Sequence, residues 1–526
     1  MPQENMGDEV SSVTVVGGGD AGLLAALAVR SVNPGLDVRV VDDFAESPTR
    51  VGKSTFQAVV PLLHDVLDID EGRFLQTVRP VWKGSVCFRD WCGNDPFHYA
   101  FDVRSVKPDL DDPKSVESLY HYYETGDMST PAEGIVNERK TPLVYSAAAN
   151  AYVMYPNMAY HLSIGRFNEL LRELCGERDV ALVDDRVTDV RTNADDTYVE
   201  RVAGEDAVYD ADLYVDATGF KRLLMDRLDA DYRSFDIPLD AAFHATADHD
   251  IEDTVPATVV ESGEYGWFWQ IDTYDHRDLG YVYSSEHVSD DEALAEFEAH
   301  REEVFADLER YEFDSGFHED AWVGNCVATG NALGFIEPLQ STALTTHLNT
   351  SVRLSRQLAA HGHINDAGLR ESFNRYVTGT WNSVYDFISV HYLFADAVND
   401  FWADMRDIPT SDRIDQYLAY YDANGFELYD SEVVTEEGTQ LGMLTFPTSS
   451  LYFLIRNMGA ESTFYEEHDF SVSDEIKERW RQRNGYVKDL ADQCLSYEQV
   501  YKSGVVDAYV RNESAFAQAA APDPGS

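Results

Sequence analysis

The sequence predicts an α/β fold in which a doubly wound parallel sheet carries an inserted antiparallel sheet and is followed by a mostly helical C-terminal part. Three observations predict this architecture. Residues 11–43 have the pattern of a strand, a glycine-rich turn, a helix and a second strand. Residues 267–285 alternate like two antiparallel strands, and the chain from residue 369 onward has helical spacing.

The N-terminal segment predicts a βαβ unit. Residues 13–16 form a short apolar run typical of a buried strand. A helix is predicted from Ala21 to Ser31, because alanine and leucine dominate this segment. Residues 38–41 form a second apolar run that ends at two aspartates. A strand, a helix and a strand in this order imply that the two strands pair in parallel.

The turn between the first strand and the helix reads GGGDAG and fits the pattern GxGxxG. Gly17 permits a tight turn, Gly19 lets the backbone approach a pyrophosphate, and Gly22 lets helix and strand pack closely. The helix N-terminus then offers N–H groups to the phosphates. Asp42 or Asp43 supplies the acid that a ribose requires about 20 residues further on. The unit therefore predicts a Rossmann-like dinucleotide site.

The chain divides into a main module and a helical subdomain. We predict that residues 1–390 form the dinucleotide-binding module with the inserted sheet on its substrate side. Residues 90–140, which are acidic and contain several prolines, are predicted to be a loop-rich insertion. Residues 391–512 are predicted to form the mostly helical subdomain. The tail over residues 513–526 is predicted to be disordered.

The charge of the chain is extreme. It has 526 residues, 95 acidic against 40 basic side chains, and a formal net charge of −55. The acids are spread along the whole chain, which predicts a uniformly acidic surface that repels itself unless salt screens it. We therefore expect a protein from an extreme halophile. Nucleic-acid binding is excluded, because it requires a basic patch.

The cysteines and the apolar runs exclude further classes of protein. The five cysteines contain no CxxC pair, which argues against a disulfide framework and against a zinc site. No apolar run approaches the roughly 20 residues needed to cross a bilayer. The first ten residues are polar and acidic, unlike a signal peptide. We expect a cytoplasmic protein with no bound metal and no membrane contact.

Two later segments favour FAD over NAD. A predicted strand ending in Asp-Ala-Thr-Gly at residues 216–219 is typical of flavoproteins of the two-dinucleotide-binding type. The segment Val-Ala-Thr-Gly-Asn-Ala at residues 327–332 precedes Pro338 and a predicted helix over residues 341–354. This arrangement resembles the flavin-ring segment of aromatic hydroxylases. Those enzymes usually place an aspartate where this chain has Asn331, whose amide can also bond the ribityl chain.

Several motifs occur in a characteristic order. They are the GxGxxG opening, Val51-Gly52-Lys53-Ser54-Thr55, Trp82-Lys83-Gly84, Phe88-Arg89-Asp90-Trp91, Trp267-x-Trp269-x-Ile271 and Glu337-Pro338-Leu339-Gln340-Ser341-Thr342. Together they resemble the tryptophan halogenase family of flavin-dependent halogenases over roughly residues 13–402. The Trp-x-Trp-x-Ile motif separates these halogenases from the aromatic hydroxylases that share their flavin module.

The chain departs from the family pattern at four positions. Asp272 follows the Trp-x-Trp-x-Ile motif where the family has proline, and Lys53 replaces an acid. Gln340 stands where tryptophan halogenases have a glutamate, and Ala343 stands where a glycine is usual. The region that cages tryptophan in the family also has no clear counterpart, since residues 446–457 differ in kind. The resemblance therefore does not imply tryptophan as the substrate.

The resemblance implies a two-site mechanism. Reduced FAD reacts with oxygen to give a flavin hydroperoxide, which chloride or bromide converts into hypohalous acid. This acid diffuses to a separate pocket, where a lysine delivers the halogen to an electron-rich ring, aromatic or indole-like. Lys83 is the candidate, because aromatic residues surround it in the sequence and burial of an unpaired ammonium favours its neutral form.

The resemblance also assigns the remaining site residues. Trp267 and Trp269 would form a barrier between flavin and substrate, and the halide would lie near Thr342 and Ala343. Residues expected to bind the cofactor are Gly17, Gly19, Ala21, Gly22, Asp42, Asp43, Lys53, Gly219, Gly330, Asn331 and Leu339.

The base that removes the ring proton is not assigned uniquely. Gln340 occupies the catalytic position but cannot act as the base, because an amide does not accept a proton at neutral pH. Glu337, three residues earlier, is either that base or a structural residue near the flavin.

The expected partners are a small-molecule substrate and a separate flavin reductase, because no reductase domain is evident in the sequence. We expect a monomer or a homodimer. Two alternative functions remain open at this point. One is a flavoprotein monooxygenase or other FAD oxidoreductase that uses no halide, which product analysis in the presence of halide would distinguish. The other is an inactive FAD-binding relative, which would not consume oxygen when given reduced FAD.

Overall fold

The computed structural model describes residues 9–45, 52–102, 114, 117–118, 121–122, 125, 130–301, 305–364, 366–425, 448–467 and 472–511. The predicted disordered tail and 21 of the 51 residues of the predicted loop-rich insertion lie outside these residues. So do Val51 and residues 446–447.

A six-stranded sheet contains the predicted βαβ unit. Its strands are β1 (Ser12–Val16), β2 (Asp37–Asp42), β10 (Ala181–Asp184), β14 (Leu213–Asp216), β22 (Trp322–Val323) and β23 (Cys326–Ala328). Their order is β10-β2-β1-β14-β23-β22, and all neighbours are parallel except β22 and β23 at the edge. The parallel part follows from the apolar strands, which are buried in the middle of the sheet.

Helix α1 (Asp20–Val32) begins directly after the glycine turn. Its residues 22–29 are all buried, which explains why alanine and leucine occupy every side of this stretch. It packs against α5 (Ile164–Glu177) and α7 (Ala343–His361). The N-terminus of α1 is therefore held rigidly at the carboxyl end of β1.

A seven-stranded sheet forms the second layer. Its strands are β5 (Ser85–Arg89), β6 (Phe97–Ala100), β16 (Ala241–Ala247), β17 (Ala257–Ser262), β18 (Gly266–Asp272), β19 (Arg277–Tyr283) and β20 (Ala306–Glu312). The order is β20-β16-β19-β18-β17-β5-β6, antiparallel except between β17 and β5. The predicted antiparallel pair at residues 267–285 is β18 and β19, and every residue of β18 is buried.

A three-stranded sheet links the two larger sheets. It consists of β3 (Lys53–Ser54), β9 (Ala159–Leu162) and β4 (Val81–Lys83), in the order β3-β9-β4. The register sets Ser54 opposite His161 and Lys83 opposite Ala159. The remaining strands are β7 (Leu143–Ser146), β8 (Ala151–Met154), β11 (Val187–Thr192), β12 (Val199–Gly204), β13 (Val208–Tyr209), β15 (Tyr232–Ser234), β21 (Gly316–His318) and β24 (Gly334–Phe335).

The other helices lie mostly in the C-terminal half. They are α2 (Val59–Pro61), α3 (Glu71–Thr77), α4 (Pro131–Asn137), α6 (Asp290–His300), α8 (Ala367–Ser389), α9 (Asp400–Arg406), α10 (Asp412–Asn424), α11 (Thr448–Asn457), α12 (Thr463–Glu467), α13 (Asp474–Gln493) and α14 (Tyr497–Lys502). The predicted fold class is confirmed: a mixed α/β core with an inserted antiparallel sheet and a helical C-terminal part. None of the described helices is long and apolar enough to cross a membrane.

The segment with helical spacing from residue 369 to residue 401 forms two helices. The first, α8, ends at Ser389, and the second, α9, begins at Asp400. The second helix starts afresh because Asn399 caps it, with its Oδ1 accepting a hydrogen bond from Trp402 N at 2.9 Å. The connection between the two helices places His391 in the interior, beside the candidate site.

Candidate active site

The carboxyl ends of three neighbouring parallel strands, β1, β14 and β23, meet at one edge of the six-stranded sheet. Val16 at the end of β1 pairs in register with Asp216 of β14, which in turn pairs with Ala328 of β23. The glycine turn, the Asp-Ala-Thr-Gly segment and the Thr-Gly-Asn segment therefore leave the sheet side by side. Ligands of open α/β sheets bind at this edge.

The three motif glycines are required for three different reasons. Gly17 has a φ of +108°, and a Cβ there would lie 2.3 Å from Ala217 O. A Cβ on Gly22 would lie 2.0 Å from Gly17 O, so this glycine lets the helix pack against the turn. At Gly19 no atom of the described part of the chain lies within 4 Å of the Cβ position. The space above Gly19, at the start of α1, is thus open to a phosphate group.

The structure distinguishes the two candidate ribose acids. Asp42 ends β2, and its Oδ2 accepts a hydrogen bond from Gly18 N at 2.8 Å. Asp43 instead forms an ion pair with Arg186, with 3.2 Å between the charged atoms. Asp42 is therefore the acid that faces the glycine turn.

The other predicted cofactor residues gather at the same edge. Gly219 and Gly330 both have positive φ, +67° and +61°, and a Cβ on Gly330 would lie 2.8 Å from the Ala21 Cβ at the start of α1. Lys53 forms an ion pair with Asp20 of the turn at 3.6 Å. Asn331 follows Gly330 in a short helical turn and is half-buried, while Leu339 is fully buried. An open phosphate cradle with an acid beside it fits a dinucleotide such as FAD.

Lys83 ends β4 and is fully buried. Its Nζ donates hydrogen bonds to Ser54 Oγ at 2.9 Å and to Ser341 Oγ at 3.1 Å, and it lies 5.2 Å from the centre of the Phe101 ring. No carboxylate forms an ion pair with it among the described residues. Burial without a compensating charge lowers the pKa of Lys83 well below its ordinary value. The local environment thus makes the Lys83 ammonium give up its proton more readily than an exposed lysine does.

Gln340 and Ser341 have an unusual backbone conformation. Their φ angles are +65° and +57°, so two consecutive residues with side chains occupy the left-handed region. This conformation costs on the order of 1–3 kcal/mol for each residue and is concentrated at functional sites. It brings the Ser341 hydroxyl to Lys83 and turns the Gln340 side chain toward His391.

Gln340 and His391 form a buried pair. The His391 Nδ1 lies 2.8 Å from Phe387 O and 3.2 Å from Ile388 O, so this nitrogen carries the proton and donates to carbonyls. The Nε2 is then an acceptor for the Gln340 amide at 2.8 Å. Burial lowers the pKa of His391 to about 4, which keeps the ring neutral. The Gln340 Oε1 is left as a buried acceptor without a hydrogen-bond partner among the residues that the structure describes.

Glu337 is buried next to the tryptophans of β18. Its Oε2 accepts a hydrogen bond from Leu339 N at 3.1 Å. Its other oxygen faces the Tyr392 hydroxyl and the Trp267 indole without completing a hydrogen bond. Burial raises the pKa of Glu337 to about 8, against smaller opposing effects of these neighbours. The carboxyl group is therefore mostly protonated at neutral pH.

Trp267 and Trp269 lie on one side of β18, with 6.0 Å between their ring centres. Trp91 contacts Trp267 with a ring distance of 6.3 Å. The Trp269 ring lies over Gly280 of β19, where a Cβ would be only 1.9 Å away from it. Glycine at this position lets the ring pack flat on the sheet, and the three tryptophans form a continuous aromatic wall.

The predicted halide residues lie at the start of α7. Thr342 is buried, its carbonyl accepts a hydrogen bond from Thr346 N at 3.0 Å, and Ala343 is the first residue of the helix. Their assignment to a halide stays a prediction, as do the catalytic and cofactor assignments of the other site residues.

Sequence reasoning missed three polar residues of the site. Ser54 and Ser341 stand inside motifs that were recognised, but nothing in the sequence indicates that their hydroxyls meet at Lys83. His391 lies in the connection between α8 and α9, within a segment whose sequence has helical spacing. Its contact with Gln340 joins residues 51 positions apart, which local sequence patterns do not reveal.

Comparison with known proteins agrees with this site, in which a nucleotide-binding sheet edge, an aromatic wall and a buried lysine occur together. The family model described as "Tryptophan halogenase" matches residues 12–459. The chain belongs to the tryptophan halogenase family. This confirms the predicted family and, with it, the prediction of a flavin-dependent halogenase that uses reduced FAD, oxygen and halide.

Relatives within the tryptophan halogenase family match most of the chain. The tryptophan 7-halogenase RebH of Lentzea aerocolonigenes is 26% identical over 464 residues, which cover 80% of this chain and 83% of the relative. The tryptophan 6-halogenase SttH of Streptomyces toxytricini is 26% identical over 468 residues, covering 80% and 85%. The family pattern thus extends through the flavin module and into the C-terminal part.

Solved structures share the fold along nearly the whole chain. The crystal structure of MibH, a lanthipeptide tryptophan 5-halogenase, is 27% identical, covers 98% of this chain and 96% of its own, and has a TM-score of 0.81. BrvH, a flavin-dependent halogenase from Brevundimonas sp. BAL3, is 24% identical with a TM-score of 0.78, covering 94% and 99%. The similarity to BrvH shows a shared fold.

Proposed function

We propose that this chain halogenates an electron-rich small molecule, aromatic or indole-like, by delivering the halogen from the side chain of Lys83. The observation that supports this most strongly is the environment of Lys83. The lysine is buried, its only described hydrogen-bond partners are hydroxyls, and burial lowers its pKa. A neutral amine in such a place is a nucleophile toward hypohalous acid.

The residues at the sheet edge would hold FAD. The open space at Gly19 would receive the pyrophosphate, Asp42 would bind a ribose, and the segment around Gly330 and Asn331 would lie beside the flavin. Reduced FAD supplies the oxygen activation that converts chloride or bromide into hypohalous acid. Thr342 and Ala343, at the N-terminus of α7, are the proposed halide contacts, because amide groups at a helix N-terminus favour an anion.

The aromatic wall gives the chain two separate compartments. Trp267 and Trp269 block a bulky ring from reaching the flavin, whereas hypohalous acid is small and uncharged. Direct oxygenation of the substrate is thereby prevented, and the halogen reaches the ring only through the lysine side. This separation favours halogenation over the monooxygenase alternative.

Neither candidate base fits a simple role as proton acceptor. Gln340 is an amide that already donates to His391, and it has no basic lone pair. Glu337 has a pKa raised to about 8 by burial, so at neutral pH only a minor fraction is a carboxylate. We assign Glu337 a structural role beside the aromatic wall, as a neutral carboxyl group next to Trp267.

The setting of the reaction is also part of the proposal. A separate flavin reductase delivers reduced FAD, the enzyme works in the cytoplasm as a monomer or a homodimer, and the acidic surface is an adaptation to high salt. Because the motifs depart from tryptophan halogenases at Gln340 and Ala343, we propose a substrate other than free tryptophan.

Product analysis tests this function. The protein, a flavin reductase, FAD, NADH and a panel of indoles, phenols and pyrroles are combined in molar KCl or KBr, and the products are analysed by mass spectrometry. The proposal expects a product that carries one halogen and shifts in mass when bromide replaces chloride. An oxygenated product without halogen would support a monooxygenase, and no oxygen uptake from reduced FAD would support an inactive relative.

A further inference from the structure

A chain of buried hydrogen bonds continues from Lys83 beyond its direct partners. Ser54 Oγ lies 2.7 Å from Thr258 Oγ1, and Thr258 Oγ1 lies 3.0 Å from His161 Nε2. The other ring nitrogen of the histidine, Nδ1, lies 3.0 Å from Asp272 O. His161 and Lys83 are fully buried and Thr258 is nearly so. No part of the halogenation chemistry described above uses these groups.

The direction of every hydrogen bond in this chain follows from its two ends. At one end the Lys83 ammonium can only donate, so Ser54 Oγ accepts from it. At the other end a carbonyl can only accept, so His161 Nδ1 carries a proton and donates to Asp272 O. The neutral His161 Nε2 then accepts from the Thr258 hydroxyl, which in turn accepts from the Ser54 hydroxyl. All bonds point from the lysine to the imidazole.

The fold holds the four groups on rigid elements. Lys83 and Ser54 lie on the outer strands β4 and β3, and His161 lies on β9 between them. Thr258 belongs to β17 of the seven-stranded sheet, where it pairs with Val86. Strand residues keep their side-chain positions better than loop residues do, so the chain is preorganised.

The charges around the imidazole allow it to hold a proton when the lysine gives one up. Burial, followed by the positive charge of Lys83, lowers the pKa of His161 to about 3, while Asp272 and Asp278 act in the opposite direction. Asp272 is itself paired with Arg277 at 2.7 Å, and Asp278 contacts His244 at 2.8 Å and His276 at 3.0 Å. Once Lys83 is neutral its repulsion disappears, and the two carboxylates then act to raise the pKa of His161 against the remaining effect of burial.

We propose that Ser54, Thr258 and His161 form a proton relay that takes the proton of the Lys83 ammonium and later returns it. The proposal rests on the function proposed above and deepens it. His161 is a positioning residue for the proton, since it acts on the reaction only through Lys83.

Proton transfer along the relay precedes the reaction of Lys83 with hypohalous acid. The Lys83 ammonium passes a proton to Ser54, Ser54 passes its hydroxyl proton to Thr258, and Thr258 passes its own to His161 Nε2, so one positive charge moves from lysine to histidine. The free amine and hypohalous acid then give a haloamine and water. Transfer of the halogen to the ring, with the ring proton replacing it on nitrogen, restores the amine, and the relay returns the stored proton from His161.

The relay also accounts for the absence of a basic residue at position 340. In these steps the lysine nitrogen itself takes up the ring proton as the halogen leaves it. It can do so because it entered the reaction as a free amine, after the relay had removed its extra proton. A carboxylate at residue 340 is then not needed, and Gln340 can serve as a neutral neighbour of His391.

A matched pair of variants tests the relay without an identified substrate. Thr258→Val keeps the shape of the side chain but removes the hydroxyl, whereas Thr258→Ser keeps the hydroxyl. FAD-loaded protein receives dilute hypochlorous acid between pH 6 and 10, and the peptide that contains Lys83 is analysed for one added chlorine. Thr380→Val, at a buried helix position whose hydroxyl donates to Tyr376 O, controls for a buried threonine-to-valine change. The exposed Lys477 in the same digest is the internal reference.

We expect that Thr258→Val slows chlorination of Lys83 about tenfold or more at pH 7, as for a rise of one unit in an amine pKa, with the deficit shrinking toward pH 10. Thr258→Ser and Thr380→Val should behave like the unaltered protein. Equal rates for Thr258→Val and the unaltered protein, or a deficit of the same size at every pH, would overturn the relay. If the unaltered protein forms no haloamine at Lys83 at any pH, the proposed function fails rather than the relay.

Discussion

The site depends on individual residues that are buried without their usual partners. Lys83 has no counter-charge among the described residues, and Glu337 is a carboxyl group with one oxygen lacking a hydrogen bond. In water each would be charged at neutral pH, but burial favours the neutral form of both. One strained turn, at Gln340 and Ser341, connects the segment that carries Glu337 with the lysine.

The buried Glu337 predicts a pH-dependent stability. Its pKa is raised to about 8 in the folded protein, so its contribution is fully present below the pKa of the unfolded chain and is lost as pH rises through 8. Glu337→Gln resembles the protonated form and does not titrate. We expect the variant to gain stability relative to the unaltered protein by about 1.4 kcal/mol per pH unit between pH 5 and 8.

Chemical denaturation of both proteins in molar KCl, in the same flavin-free state, measures this difference. Glu298→Gln, at an exposed position of α6, is the control and should show no such trend. A stability difference between Glu337→Gln and the unaltered protein that does not change with pH would contradict a raised pKa for Glu337.

At the residue scale the sequence indicated which residues belong to the site, but not which residues they contact. Lys83 could be singled out because aromatic residues flank it and lysine is rare in this chain. Its contact with Ser341 joins residues 258 positions apart, and that of Gln340 with His391 joins different elements. Such contacts arise when separate elements pack, and no local pattern carries them. The choice between Asp42 and Asp43 was open for the same reason.

At the scale of elements, the strand–turn–helix unit determines where a dinucleotide can bind. The amide of Gly18 is fixed to Asp42, and no atom of the described residues lies within 4 Å of the Cβ position of Gly19. Because the protein leaves this space open, a change at Gly19 should affect the ligand and leave the fold intact.

We predict that Gly19→Val weakens FAD binding at least about tenfold, equal to a loss of about 1.4 kcal/mol, because the side chain occupies the approach path of the pyrophosphate. The thermal stability of the flavin-free protein should stay the same. Gly35→Val is the matched control, since Gly35 also has no atom of the described residues within 4 Å of its Cβ position. Fluorescence titration with FAD measures both variants, and unchanged affinity in Gly19→Val would rule out this site.

Helices and strands with a strong local sequence pattern could be predicted, but a break within a helical segment could not. The glycine turn with its helix, and the antiparallel strands β18 and β19, have periodicities that packing does not override. The break between α8 and α9 was missed, because aromatic residues with helical spacing continue across it and the capping role of Asn399 depends on the backbone around it.

At the scale of the whole molecule, the excess of acidic residues dominates. A formal net charge of −55 spread over one chain makes the folded state repel itself when salt is dilute. Salt shortens the range of this repulsion to about 10 Å at 0.1 M and about 3 Å at 1 M. The fold and the family membership do not depend on this property, which concerns the solution in which the protein works.

We therefore predict that the melting temperature rises steeply between low and molar KCl. The reason is screening, so sucrose, which strengthens burial without adding ions, should not reproduce the effect at low salt. Differential scanning calorimetry at fixed pH makes the comparison. A melting temperature that is flat across KCl concentrations would contradict the adaptation to high salt.

The central claim is that Lys83 transfers the halogen while the flavin side works without it. The most direct measurement compares Lys83→Met with the unaltered protein in molar KBr, recording oxygen uptake, hypobromous acid trapped by a diketone scavenger, and brominated product. Lys221→Met, at an exposed lysine, is the control. We predict that Lys83→Met keeps oxygen uptake and releases hypobromous acid, but forms at least about 10²-fold less brominated product. Full product formation by Lys83→Met would contradict the account.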